Sequence, residues 1–471
     1  VDVKQVIKVI DDLVFAKEGR WLEKAEKIVI EAAWLDLDYK EIAENVPCNF
    51  DFLQRRVAPK LWVLLTGILG NGEKVTKKRL RRILEEQMLD LRSAISDEAS
   101  TGLAVIGGHL PDVSKFYGRT PEMAMLKELV TQERCVALIG QPGIGKSALI
   151  AKLIEVMRVA SIEFDSFIWK SVSYSPLLPE LLADLLKLLA DLENQKLDLP
   201  ESTQDRALMF FKQLELRRYL VVLDSTEALL QGDRNTDSSP YGDKYADYEG
   251  FFRSIIEKQH QSCVVLTSRE PFIDINRLEH KGQPARSMKV EGLVGKEALL
   301  ILKNKGLSDE DEWGDLVEIY RGNPLSLEMV SQRIKNFFGG SVKEFLKYKT
   351  TLITDIFQDN LDRMFKGNGR LTDLEKEILT YLSEKLTILP VDSISFNQLL
   401  NYLRQKPNEY LITTTEIIEA LESLDERSLI ERKVSAEKEI FLTLQPQVRK
   451  YISIYTSKGY RYGLKNSKSA A

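Results

Sequence analysis

The stretch Gly140-Gln141-Pro142-Gly143-Ile144-Gly145-Lys146-Ser147 constrains the fold of this chain more than any other. It fits the pattern GxxxxGK[ST], follows the apolar run CVALI and opens the helical run ALIAKLIEVM at Ala148. Strand, loop and helix in that order form the context in which this pattern cradles phosphate. Its glycines let backbone N–H groups turn inward, and the helix adds the positive end of its dipole. Residues Gly140 to Ala148 are therefore expected to hold the phosphates, with Lys146 reaching the terminal ones and Ser147 holding magnesium. Similar apolar runs, FIWKSV from 167, YLVVLD from 219 and CVVLTS from 263, alternate with helical patterns between about 114 and 292. Strands alternating with helices predict a parallel sheet covered on both faces.

A magnesium carboxylate belongs at the end of a neighbouring buried strand, and Asp224 closes YLVVLD. Ser225 follows where a second acid is common, so Glu227 is the candidate base for the attacking water; its alternative is a solvated acid at a helix start. Arg269, just past CVVLTS, is placed to sense a terminal phosphate, or else is a surface arginine.

The 471 residues predict three or four domains at about 100–200 residues each. The expected divisions are a helical helix-turn-helix-like domain at 1–92, a linker at 93–113, the phosphate-loop domain at 114–292, a helical domain at 293–365, a further domain at 366–456 and a basic tail at 457–471. A net charge of −5 gives no ground for a polyanion-binding role from the total, so any nucleic-acid patch must be local. Three scattered cysteines and three histidines outline neither a disulfide framework nor a zinc site. No apolar run approaches the ~20 residues of a membrane span and no signal-peptide order opens the sequence, so a cytoplasmic location without membrane partners is expected.

These motifs, with PDVSKFYGRTPEMAML from 111, GNPLSLEMV from 322 and FLTLQPQVRKYI from 441, stand in one order across about 111–455. In that order the chain resembles the NB-ARC class of STAND signal-transduction ATPases, in particular cyanobacterial-type members, and its first 90 or so residues resemble the vWA-MoxR-associated N-terminal helix-turn-helix. The resemblance implies that Tyr117, Gly118 and Arg119 close over the base, that Arg269 is the sensor arginine and that Pro324 packs on adenine. It also implies a winged helix over 366–456, in which Gln445 stands where the family has a histidine that contacts the diphosphate. The implied activity is a switch: ADP holds a closed monomer, ATP releases it into a homo-oligomer, and slow hydrolysis acts as a timer. Relatives often continue into WD40 repeats, and residues 452–471 hold no such sensor.

Output is expected through the N-terminal region, where charge is segregated. Residues 2–51 hold 7 basic and 12 acidic side chains, whereas 55–82 hold 9 basic and one acidic. DYKEIAENV from Asp38, a short turn and NFDFLQRRV read as a helix-turn-helix that places Asn49, Asp51, Gln54 and Arg55 near base edges. Arg56, Lys60, Lys77, Lys78 and Arg81 extend the basic face. Two readings stand beside the plain switch: a DNA-binding transcription regulator gated by nucleotide, and a defence-type adaptor that recruits a separate effector protein.

Overall fold

The computed structural model describes residues 3–38, 41, 50–70, 73–84, 105–159, 164–193, 196–230, 241–348, 350–365, 370–388, 391–405, 412–435 and 437–455. Most of the helix expected from Asp38, together with Asn49, residues 93–104, 231–240 and the tail, lies outside them. Among the described residues no helix is long and apolar enough to cross a membrane.

Six strands form one parallel sheet: β1 (Val105–Ile106), β2 (Cys135–Ile139), β3 (Ser166–Ser171), β4 (Tyr219–Asp224), β5 (Cys263–Ser268) and β6 (Ala285–Lys289), in the order β1-β3-β4-β5-β2-β6. The unbroken apolar runs become strands because both faces of this sheet are covered. On β2, Cys135, Ala137 and Ile139 face one core and Val136 and Leu138 the other. The first core is closed by α6 (Leu178–Leu192), α7 (Thr203–Leu216), α8 (Asp247–Glu257) and α9 (Ile273–His280), and the second by α4 (Thr120–Gln132) and α5 (Lys146–Val159). β1 and β6 carry no unbroken apolar run, since each lies at a sheet edge with one hydrogen-bonded neighbour. β1 falls in the stretch expected as linker, where Val105 pairs with Phe167 and Ile106 with Ile168.

Before the sheet come α1 (Val3–Glu18), α2 (Lys24–Trp34) and α3 (Ala58–Leu69). The chain is helical from a turn at Phe50–Phe52 through a π-helical turn at Leu53–Val57 into α3, and the π turn directly before Pro59 accommodates a residue that has no N–H to donate. Helix α1 serves two cores. Val6, Ile10 and Val14 pack with α2 and α3, whereas Phe15 and Ala16 pack with α4 and α5.

After the sheet, α10 (Gly295–Asn304), α11 (Trp313–Ile319), α12 (Pro324–Phe338) and α13 (Val342–Leu346) share one core. Helices α14 (Asp355–Phe365), α15 (Asp373–Ile388), α16 (Phe396–Gln405) and α17 (Thr414–Glu426) share another with an antiparallel sheet of β7 (Ile394–Ser395), β9 (Ile440–Leu444) and β8 (Ile430–Val434), in that order. A helix from 446 to 455 closes this C-terminal unit. Phe357, Leu361 and Phe365 bury α14 in the C-terminal core, so packing divides the two units before α14 rather than at the expected 365.

Candidate functional site

Sheet order decides what meets at the loop. The chain leaves β2, skips two positions to β3 and returns, which leaves β5 between β2 and β4 and brings the ends of all three together at a topological switch point. Ser147, in the first turn of α5, donates to Asp224 Oδ1 at 2.7 Å, and Thr267 Oγ1 donates to the same oxygen at 2.6 Å. Thr267 in turn accepts from Ser225 N at 2.8 Å, fixing Ser225 in a left-handed conformation at φ 67°. Ser225 thus serves as a backbone pivot that turns the chain toward Glu227.

Lys146 is buried and donates to the carbonyls of Gly140 at 2.7 Å and Gln141 at 3.2 Å, within its own loop. Burial pulls its ammonium down to about 8; the carboxylates of Glu227 and Asp224 oppose that shift and the charge of Arg269 adds to it. A polyphosphate would restore the charge. The hydroxyl of Ser147 and the carboxylate of Asp224 are hard oxygen donors at hydrogen-bond distance, which fits Mg²⁺, an ion bound through one or two protein ligands with phosphate and water completing its shell. Among the described residues no group of three or more His, Cys, Asp or Glu could form a closed metal cage.

Glu227 and Arg269 meet each other, with Arg269 Nε 3.0 Å from Glu227 Oε1. Arg119, in the left-handed conformation at φ 64°, is buried and donates to Ile144 O at 2.9 Å, so the segment Tyr117-Gly118-Arg119 is tied directly to the loop. Tyr117 OH accepts from Asn304 at 2.9 Å, and a Cβ on Gly118 would fall 1.9 Å from the Glu297 carboxyl carbon. Pro324 opens α12, and the residue before it caps the helix: Asn323 Oδ1 accepts from Ser326 N at 3.1 Å while its amide donates to Pro142 O at 2.9 Å. Gly143 sits at φ 71° under Leu325, whose Cβ would lie 2.5 Å from any Cβ added there. Gln445 accepts from Gln141 Nε2 at 2.5 Å, and the same amide donates to Ser428 O at 2.9 Å.

The site therefore draws residues from all three units downstream of α4. A cleft of about 510 Å³ opens beside it, lined by Gln141, Ile144, Arg321, Ser428, Glu431 and Gln445 among others. Arg321 closes one wall by pairing with both oxygens of Glu431 at 2.5 and 3.0 Å. Sequence reasoning missed Asn323, Arg321, Ser428 and Glu431. Asn before Pro at a helix start is a readable cap signal; the other three carry none, because their partners lie in another unit.

The basic N-terminal residues stand apart from this site. Gln54, Arg55, Arg56, Lys60, Lys78 and Arg81 are exposed and Lys77 is half-buried; of these, Arg55 pairs with Asp51 at 3.3 Å, Arg81 lies over Trp34 at 5.4 Å, and Lys77 donates to Leu37 O at 2.7 Å.

Residues 121–227, which span the loop, β2 to β4 and Glu227, match the NB-ARC domain, and residues 1–87 match the vWA-MoxR associated protein N-terminal HTH. The chain carries an NB-ARC domain. An NB-ARC domain is a nucleotide-binding domain. The chain is 35% identical over 358 residues to an uncharacterised WD repeat-containing protein of Nostoc sp. (strain PCC 7120). That match covers 74% of this chain but only 27% of the relative. Among solved structures, the Walker-type ATPase of Pyrococcus abyssi aligns with a TM-score of 0.48 at 15% identity, covering 73% of this chain and 98% of that one. The Aeropyrum pernix ORC2 protein aligns at 0.44 and 14%, covering 76% and 98%.

Proposed function

We propose that the chain is a nucleotide switch whose NB-ARC domain binds ADP in a closed state and ATP in an open, self-associating state. The observation that carries this reading is that the phosphate loop is a three-way junction. Asn323 holds Pro142, Leu325 N donates to Gly143 O at 3.3 Å, and Gln141 holds Ser428 and Gln445. A ligand that reshapes the loop must therefore act on the helical and C-terminal units together, and a difference in affinity between the two arrangements would move the equilibrium. In this reading Lys146 and the loop amides from Gly140 to Ala148 hold the phosphates, and Ser147 and Asp224 hold Mg²⁺, which supplies positive charge to the phosphate oxygens. Glu227 orients water, Arg269 senses the terminal phosphate, and Tyr117, Gly118, Arg119 and Pro324 enclose the base. The C-terminal unit, with helices α15 to α17 and three strands in winged-helix order, is the moving part, and hydrolysis is slow. The domain limits of the sequence reading, with α14 transferred to the winged helix, and a cytoplasmic setting belong to the same proposal.

Two measurements test it. Lys146→Ala should abolish nucleotide binding in isothermal titration, and an unchanged affinity would remove the phosphate assignment. Light scattering after size exclusion should show a monomer with ADP and a larger species with a non-hydrolysable ATP analogue; the same mass in both rejects the switch.

A second reading, DNA output, is favoured by the exposed Gln54, Arg55 and Arg56 on the π-helical turn with Lys60 one turn on. It requires duplex binding that weakens steeply with salt. Nucleotide-dependent capture of a protein partner without DNA affinity would favour the adaptor reading instead.

A further inference from the structure

Beyond the loop, a chain of charges connects the catalytic end of the sheet to the C-terminal unit. Arg370, just ahead of the buried Leu371 at the start of α15, donates from Nη1 to Glu270 Oε1 at 2.5 Å and from Nη2 to the backbone carbonyl of Glu227 at 2.7 Å. The second oxygen of Glu270 faces Arg427 Nη2 at 3.8 Å, and Arg427 also meets Glu375 at 3.4 Å. Glu270, Glu375 and Arg427 are all buried. Glu270 directly follows Arg269, and its backbone N–H donates to Ser268 Oγ at 3.0 Å, which fixes the main chain that carries the carboxylate to the end of β5. One guanidinium thus holds the backbone of Glu227 and the residue next to Arg269, while Glu227 and Arg269 hold each other at 3.0 Å.

We propose that Arg370 is a positioning residue for hydrolysis that keeps Glu227 and Arg269 paired with each other, so that turnover stays slow while the C-terminal unit is docked. The proposal rests on the reading of Glu227 as the base and Arg269 as the sensor. A carboxylate engaged by Arg269 is a poor acceptor for a water proton, and a guanidinium engaged by Glu227 has less positive charge to offer a γ-phosphate. Arg370 grips the main chain on one side and Glu270 on the other, so neither partner can swing away without breaking a charge-assisted hydrogen bond. Arg427 is the anchor: it holds the far side of Glu270 from within the C-terminal core. When the unit withdraws, both arginines leave together, and the pair is held only by its own contact.

The test is steady-state ATP hydrolysis by the full chain with Mg²⁺. Losing a charge-assisted grip is worth about tenfold in rate, so Arg370→Ala, which removes both of its grips, should raise kcat at least about tenfold with KM for ATP nearly unchanged. Arg370→Lys, which has the charge but not the fork that reaches both partners, should fall between. Glu270→Gln weakens the same grip from the other side by removing its charge and should raise kcat by a smaller factor, which guards against a fault peculiar to Arg370→Ala; melting curves establish that each variant is folded. In a Glu227→Gln background the Arg370→Ala gain should vanish. A gain that persists there, or a folded Arg370→Ala and Glu270→Gln whose kcat is unchanged or lower, overturns the proposal while leaving the ATPase reading intact. A wild-type chain that binds ATP but turns over no faster than Glu227→Gln removes the base assignment itself, and the relay with it.

Discussion

At the scale of single residues, the lysine of the phosphate loop is where function works against stability. Its ordinary value is 10.5, and burial brings it to about 8 in the fold. Between those values the unfolded chain binds a proton that the folded chain has released, so stability rises with pH in that window. Below about pH 8 the penalty is complete, about 3 kcal/mol, because both states are protonated and only one is desolvated. Urea unfolding at pH 7.5 and 9.5 should therefore show wild type gaining stability relative to Lys146→Met as the pH rises, in the absence of nucleotide. Saturating Mg-ATP should abolish the gain in wild type, since phosphates favour the charged ammonium. Asn323 makes a complementary case. Asn323→Asp keeps the helix cap but turns a donor into a buried charge facing the carbonyl of Pro142, so it should cost stability at least as much as Asn323→Ala and weaken nucleotide binding besides. Asn323→Ala should cost about 2 kcal/mol, for the cap and a buried carbonyl left without its donor; titration and chemical denaturation separate the two outcomes.

At the scale of elements, the sequence was legible wherever burial was two-sided. Runs such as CVALI and YLVVLD announce central strands because every side chain meets a core, whereas ARSMK in β6 sets Arg286 and Ser287 side by side at an edge, breaks the two-residue period of a strand and resembles a loop. β1 is two residues long and has no pattern to read. The loop residues were legible because their chemistry is local, with Gly, Lys and Ser at fixed spacing. Arg370, Glu270, Arg321 and Glu431 were not, since each becomes significant only when a partner 100 or more positions away is brought beside it. Helix α1 shows the same limit. Its apolar face was visible, but nothing marked Asp12, buried among apolar neighbours, as the partner of Lys152 on α5 at 2.8 Å. Burial pushes the Asp12 carboxyl up, against the pull of Lys152. Asp12→Ala would leave a buried ammonium with only the more exposed Glu155 at 3.3 Å and should destabilise the chain by about 3 kcal/mol, well beyond the effect of Glu155→Ala, as read from denaturation midpoints.

At the scale of the molecule, the C-terminal unit touches the phosphate-loop domain through polar contacts more than through a shared apolar core. Gln141 with Gln445, Lys289 with the carbonyl of Asp425 at 2.8 Å, and Arg370 with Glu270 span the boundary, while the hydrophobic clusters remain on their own sides. Polar boundaries of this kind separate at low cost. A single body of this length has a radius of gyration of about 23 Å. Combining Gln445→Ala with Arg321→Ala should raise the measured radius by several ångströms in X-ray scattering with ADP bound, with circular dichroism unchanged; an unaltered radius would show that these contacts do not hold the unit in place. The N-terminal boundary is different. Because Phe15 and Ala16 fill the core beneath α5 and Asp12 neutralises Lys152 there, the helical domain and the NB-ARC domain cannot be exchanged like beads on a string. A lineage that replaced this N-terminal module would have to supply a new acid for Lys152 and a new aromatic for the gap in the same step, or lose the lysine first. The order of those substitutions among relatives with other N-termini would record which came first.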